Sequence, residues 1–76
     1  MQKWEYMTLR VRDGIVLSAN DQPLAKHSFL HGIQGPGSSE VLNRLGQEGW
    51  ETVAMSPMGP NPNGYDYVIL LKRPLS

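Results

Sequence analysis

Cysteine is absent from this 76-residue chain. That excludes a disulfide scaffold and any thiolate zinc site, the two usual staples of very small domains. Net charge is absent as well: seven basic side chains balance seven acidic ones, so nothing draws the chain towards nucleic acid or an anionic membrane surface. No apolar run approaches the roughly 18–20 residues that a membrane helix needs. The opening Met1-Gln2-Lys3-Trp4-Glu5 carries no signal-peptide core, and the expectation is a cytoplasmic protein with no membrane partner.

What is present suits a small folded domain. Hydrophobic residues make up 39% of the chain and charged ones 18%, enough to build a core and to argue against wholesale disorder. At this length residues 1–76 form one domain, which buries only about 60–65% of the surface of its unfolded chain. Such a core supplies only a few kcal/mol, so association with further copies, as a dimer or larger, is the default expectation. Balanced charge removes one brake on it.

Residues 3–12 read KWEYMTLRVR. Met7, Leu9 and Val11 fall on one face of an extended chain and Trp4, Tyr6 and Thr8 on the other, the period-two signature of a strand. Bulk on both faces marks it as central, or covered on both sides by a neighbouring chain. Asp13-Gly14 is a hairpin turn signal, and Ile15-Val16-Leu17 supplies the partner strand. Asn20-Asp21-Gln22-Pro23 is a turn cluster. Over residues 18–37 the pattern breaks down, and an extended segment around 26–31 is expected to continue the sheet.

Ser38 or Gly37 caps a helix reaching about Glu48, with Ser39 and Glu40 in the first turn, where exposed N–H groups favour them. Val41, Leu42 and Leu45 form its apolar stripe. Gly49 stands where a left-handed terminating residue is wanted, and Trp50 is expected to fold back onto Leu45. Residues 51–56 then form a strand, with Val53 and Met55 on one face and Thr52 and Ala54 on the other. Pro57, Pro60 and Pro62 predict a loop tip over 57–64. Residues 65–73 form the strongest strand, with Tyr65, Tyr67, Ile69 and Leu71 on one face and Val68 and Leu70 on the other. The fold class is α+β: an antiparallel sheet of four to five strands with one helix on one face, in the order β-β-(β)-α-β-β.

Three stretches together resemble a known family: KWEY at 3–6, LNRLGQEGWE at 42–51 and LKRP at 71–74. They are similar to family 4177 of the domains of unknown function, small bacterial and phage proteins that typically read KWEYK, then LN.LG.EGWELV, then a last strand ending in KRP. Thr52 stands where that pattern usually has an aliphatic residue. The resemblance implies a helix-on-sheet fold and carries over no catalytic residue. Packing explains the middle motif without chemistry: Gly49 lets the chain leave the helix, Trp50 seals the helix end, and Gly46 is expected to let helix and strand approach closely.

Several constellations are candidate sites. His27 and His31 are four apart, a metal-binding spacing on a helix, but on a strand they stand about 13 Å apart, too far for one ion. With only Asp21 nearby as a third ligand, no metal site is expected. Gly35-Pro36-Gly37-Ser38-Ser39 opens a helix as an anion cradle would, and Gly35, Gly37, Ser38 and Ser39 are the candidate ligand-binding residues. The chain has neither a triphosphate loop nor a GxGxxG, so no cofactor is expected. Trp4, Tyr6, Tyr65 and Tyr67 are candidate interface residues; Glu5 and Asp66 lie among them where a nucleic-acid binder would interleave basic residues. Arg10, Arg12, Lys72 and Arg73 gather at one sheet edge only if the first and last strands adopt a register that brings them there.

No Cys nucleophile, Ser-His-acid arrangement or shared pair of carboxylates is identifiable. The leading functional expectation is a non-enzymatic, self-associating module that binds a protein partner or builds an assembly. The alternative is a small-ligand binder holding a nucleotide or other anion near residues 35–39 or at a subunit boundary. The third is an enzyme built at an interface around His27 or His31.

Overall fold

The main sheet begins with two tight turns, each imposed by residues that accept a left-handed backbone. Strand β1 (Trp4–Arg12) turns at Asp13 (φ 51°) and Gly14 (φ 77°) into β2 (Ile15–Ala19), with Arg12 opposite Ile15. Positive φ at both central residues is what a type I′ hairpin requires. Asn20 (φ 49°) and Asp21 (φ 66°) repeat the device and lead into the short β3 (Gln22–Pro23). Asn20 is held in this pose by Thr8: the Thr8 N–H donates to Asn20 Oδ1 at 2.9 Å, and the Asn20 N–H donates to the Thr8 carbonyl at 2.8 Å.

The computed structural model describes residues 1–28, 32–61 and 64–75, with side chains for 1–26, 34–58 and 66–75. After β3 come β4 (Lys26–Ser28), β5 (Gly32–Gln34), helix α1 (Ser38–Gln47), β6 (Glu51–Asn61) and β7 (Gly64–Pro74). The five-stranded sheet has the order β3-β2-β1-β7-β6 and is antiparallel throughout. This is the expected α+β architecture, with more short strands between β2 and the helix. The extended segment placed at 26–31 is strand over 26–28, and it pairs with β5 in a separate two-stranded sheet instead of continuing the main one. The remaining residues of that segment, 29–31, lie outside the described ones.

Strand β1 is central, flanked by β2 and β7, as bulk on both of its faces required. Its ladder with β7 sets Met7 opposite Leu71 and Leu9 opposite Ile69, which gathers the apolar side chains on the helix side. Leu9, Val11, Val16, Trp50, Ile69 and Leu71 are the buried core, and Val41, Leu42 and Leu45 of α1 pack against it. The helix ends as its sequence dictates. Gly49 takes φ 92°, the Trp50 N–H donates to the Leu45 carbonyl at 3.0 Å, and the Gly49 N–H donates to the Gly46 carbonyl at 3.1 Å. This is the Schellman pair of bonds, and it delivers Trp50 into the core beside Leu45.

Three expectations are corrected. Gly46 does not mediate a close approach: a Cβ added there meets nothing within 4 Å. Strand β6 does not stop at Ser56 but runs to Asn61, with Pro57 opposite Tyr67 and Pro60 opposite Tyr65. Proline is tolerated here because β6 is an edge strand with no neighbour on its outer side among the described residues, and because the register shifts between the two prolines. Finally, the alternation over Thr52–Met55 is broken. Thr52 pairs with Leu71 and Ala54 with Leu70, so Val53 is the extra residue of a bulge and Thr52 shares the helix side with Met55, the partner of Ile69.

One glycine inside the helix and one just past its end therefore respond oppositely to the same substitution. Gly49→Ala costs about 1 kcal/mol through its left-handed backbone. Gly46→Ala stabilises by about 0.5–1 kcal/mol through helix propensity. Urea unfolding of the two variants reads the signs; a destabilised Gly46→Ala variant contradicts the open surroundings of that residue.

Candidate functional site

The β1–β7 ladder runs from Trp4 opposite Pro74 to Arg12 opposite Asp66, and each of its ends carries a charged cluster. At the Asp66 end the carboxylate is almost fully buried, at 1% exposure, on the face away from the helix. The Arg12 guanidinium meets it with two bonds, Nε to Oδ1 at 2.6 Å and Nη2 to Oδ2 at 3.0 Å. Arg10, two residues earlier and therefore on the same face, adds Nε and Nη2 contacts to Oδ2 at 2.8 and 2.7 Å. Charge-assisted bonds of this fork geometry are the strong ones. The hydrogen bond to Asp66 holds the Arg12 guanidinium above its ordinary pKa, against the opposing effect of its burial.

At the other end Arg73 has three partners. Its Nε and Nη2 both reach Glu5 Oε1 at 2.8 Å, its Nη1 donates to the Glu48 carbonyl at 3.1 Å, and its guanidinium lies 4.4 Å from the Trp50 ring centre. Glu5, Glu48, Trp50 and Arg73 come from the three motif stretches at the start, middle and end of the chain. Those stretches thus meet in one place: an arginine closing the exposed C-terminus of α1, stacked on the residue that seals it. On the reverse face the Lys72 ammonium lies 4.1 Å from the Trp4 ring centre.

The four basic residues therefore do not gather. Arg10 and Arg12 serve Asp66, while Lys72 and Arg73 lie roughly 20 Å away along the strands. They guard no edge either, because β1 and β7 are interior strands. Asp66 is the residue that sequence reasoning undervalued. Its signal was an acidic residue in an apolar strand whose antiparallel partner carries two arginines.

The candidate interface aromatics divide between the two faces. Trp4 and Tyr6 stand exposed on the helix-free face, Tyr6 at 57%, alongside half-buried Val68 and Leu70 of β7. Tyr67 is opposite Val11, on the helix side, and is also exposed. Tyr65 pairs with Pro60, and its side chain lies outside the described residues. The candidate ligand-binding glycines and serines lie against the β1–β2 turn. Gly37 is the N-cap, with no side-chain cap bond. The Ser38 N–H, a would-be cradle donor, is already given to the Gly14 carbonyl at 2.8 Å. Ser39 follows in the first turn, exposed. Gly35 has a packing reason to be glycine, since an added Cβ falls 2.8 Å from Ala25 Cβ and 3.1 Å from Ile15 Cγ2.

His27 lies in β4 opposite Ile33, and His31 is outside the described residues, among which no group of three metal-ligating side chains is found. Among the described residues no helix is long and apolar enough to cross a membrane. A groove of about 290 Å³ opens on the helix-free side between Thr8, Arg10, Ser18, Asp21, Met58 and Val68. That is at the lower limit for a small-molecule site.

A family model described as a domain of unknown function (DUF4177) matches residues 4–74. No curated protein and no solved structure matches the chain.

The two charged ends predict different losses. Asp66→Ala leaves Arg12 buried without its counter-charge and costs about 3–5 kcal/mol, a large share of the roughly 4–11 kcal/mol available to a domain of this size. Pairing Asp66→Leu with Arg12→Met recovers most of that loss. Because Arg12 is held above an already high pKa, its contribution is complete at neutral pH and lost only in strong alkali. Arg73→Lys, which forfeits the fork on Glu5 and the planar stack on Trp50, costs about 1 kcal/mol. In a thermal melt that is a fall of about 4–8 °C. Unchanged melting of both Asp66→Ala and Arg73→Lys contradicts these roles.

Proposed function

This chain belongs to the DUF4177 family, and on that premise we propose that it is a non-enzymatic module that associates with copies of itself and acts in the cytoplasm by binding, in an assembly or to a protein partner. One observation supports the reading above the others: a five-stranded sheet has a single ten-residue helix to cover it. Helix α1 packs over the core strands, and every residue from Glu51 to Met58 in β6 is left exposed. Val53, Met55, Met58, Trp4, Tyr6 and Tyr67 are all large apolar or aromatic side chains in water. Exposed apolar surface spread over both faces and one edge of a small sheet is the mark of an interaction surface.

The charged side chains support the same reading. Asp66, the buried carboxylate among the described residues, is engaged by two arginines and set to hold strands together, whereas a proton-transfer group must face a substrate. Sedimentation velocity at tens of micromolar tests the proposal. A dimer or larger species is the expected result, and a clean monomer across that range removes it.

A further inference from the structure

The two edges of the main sheet are unequal. Strand β3 ends one side after two residues, whereas β6 ends the other with eleven. Long edges are normally blunted with lysine, inward charge or a covering element. From Glu51 to Asn61 there is no lysine or arginine, and Glu51 at the start is the one charge. The deterrents present are Pro57 and Pro60, which leave the run Glu51–Ser56 free to pair. The molecule is also extended, 49 × 23 × 18 Å, with a radius of gyration of 13.4 Å where a compact domain of this length has about 11.4 Å. Its accessible surface is 5507 Å², about 800 Å² more than the roughly 4,700 Å² of a compact monomer of this mass.

Resting on the self-association reading, we propose that the β6 edge pairs with the β6 edge of a second copy, antiparallel about a two-fold axis, to make one continuous ten-stranded sheet. A two-fold perpendicular to a sheet sets one residue opposite its own mate. Within the proline-free run, an axis at Ala54 sets the exposed apolar residues on either side of it, Val53 and Met55, opposite each other. Val53 then meets Met55 of the other copy, and the bulge between Thr52 and Ala54 ends the matched pairs there. Both members of that pair are exposed in the single chain, at 41% and 64%, and they flank Ala54, which faces away from the helix opposite Leu70. Each copy therefore covers the apolar side chains that its own helix does not reach. Charge permits the arrangement, because the two Glu51 carboxylates lie about 20 Å apart at opposite ends of the new ladder.

The axis makes a self-contained test. Ala54 is exposed, so Ala54→Lys and Ala54→Glu each leave the fold intact, as circular dichroism and a cooperative melt will show. In each pure variant like charges face one another across the axis, and the dimer dissociation constant rises at least fivefold by sedimentation. Mixed in equal amounts, the two variants face opposite charges and return to within about twofold of the unaltered protein. Asn43→Lys, exposed on α1 and away from the β6 edge, leaves dissociation unchanged. Dissociation unaltered in both Ala54 variants, or raised in both and not restored by mixing, overturns the edge pairing while self-association itself stands. An unaltered protein that stays monomeric overturns self-association, and the edge pairing with it.

Discussion

A buried carboxylate is tolerable only where its counter-charges are fixed, and in this molecule that condition sets the register of the central ladder. Asp66 is held by Arg12 and Arg10 across the β1–β7 pair. Sliding β7 by one residue turns Asp66 to the helix side among Leu9, Val11 and Ile69, with both arginines left behind. Desolvation makes that alternative far costlier than any lost apolar contact. The ion pair thus contributes specificity: it excludes wrong pairings as firmly as it holds the right one. With the register set, Leu9 faces Ile69 and Met7 faces Leu71, and the core assembles as a consequence.

The same register places the motif residues. Glu5 comes opposite Arg73 only when Arg12 is opposite Asp66. Arg73 can then reach over Trp50 and the last turn of α1. A helix of ten residues is marginal alone. It is retained because its end is closed by glycine geometry, its terminal tryptophan is buried, and an arginine from the far end of the chain bonds the Glu48 carbonyl. The motif stretches that resemble the family are the pieces of this junction, which accounts for their residue types by structure alone.

Much of the fold is legible along the chain because its signals are local. Asp13-Gly14 announces its turn through left-handed backbone. Gly49-Trp50 announces the helix end. The alternation in Met7, Leu9 and Val11 announces a strand and its inner face. The misread features are those in which a neighbour decides. Pro57 and Pro60 read as loop residues, yet an edge strand with a shifted register accommodates them. Gly46 reads as a contact point, yet the helix is oriented so that it meets nothing. Residues 26–28 read as part of one sheet and pair in another, since strand patterning carries no address for its partner.

The candidate sites divide in the same way. Sequence identified Trp4, Tyr6 and Tyr67 as chemistry in search of a surface, and it sorted the arginines and lysine only as charge. By itself it determined the composition limits, the turns, the helix and its closing glycine, and the presence of strands with two apolar faces, because each of these depends on residues a few positions apart. Only the tertiary structure decided that Asp66 is the anchor, that the basic residues part to opposite ends of one ladder, and that β6 stands as a long open edge. Those facts belong to pairs of residues some 25 to 70 positions apart, and pairing register, which no local preference encodes, brings them together.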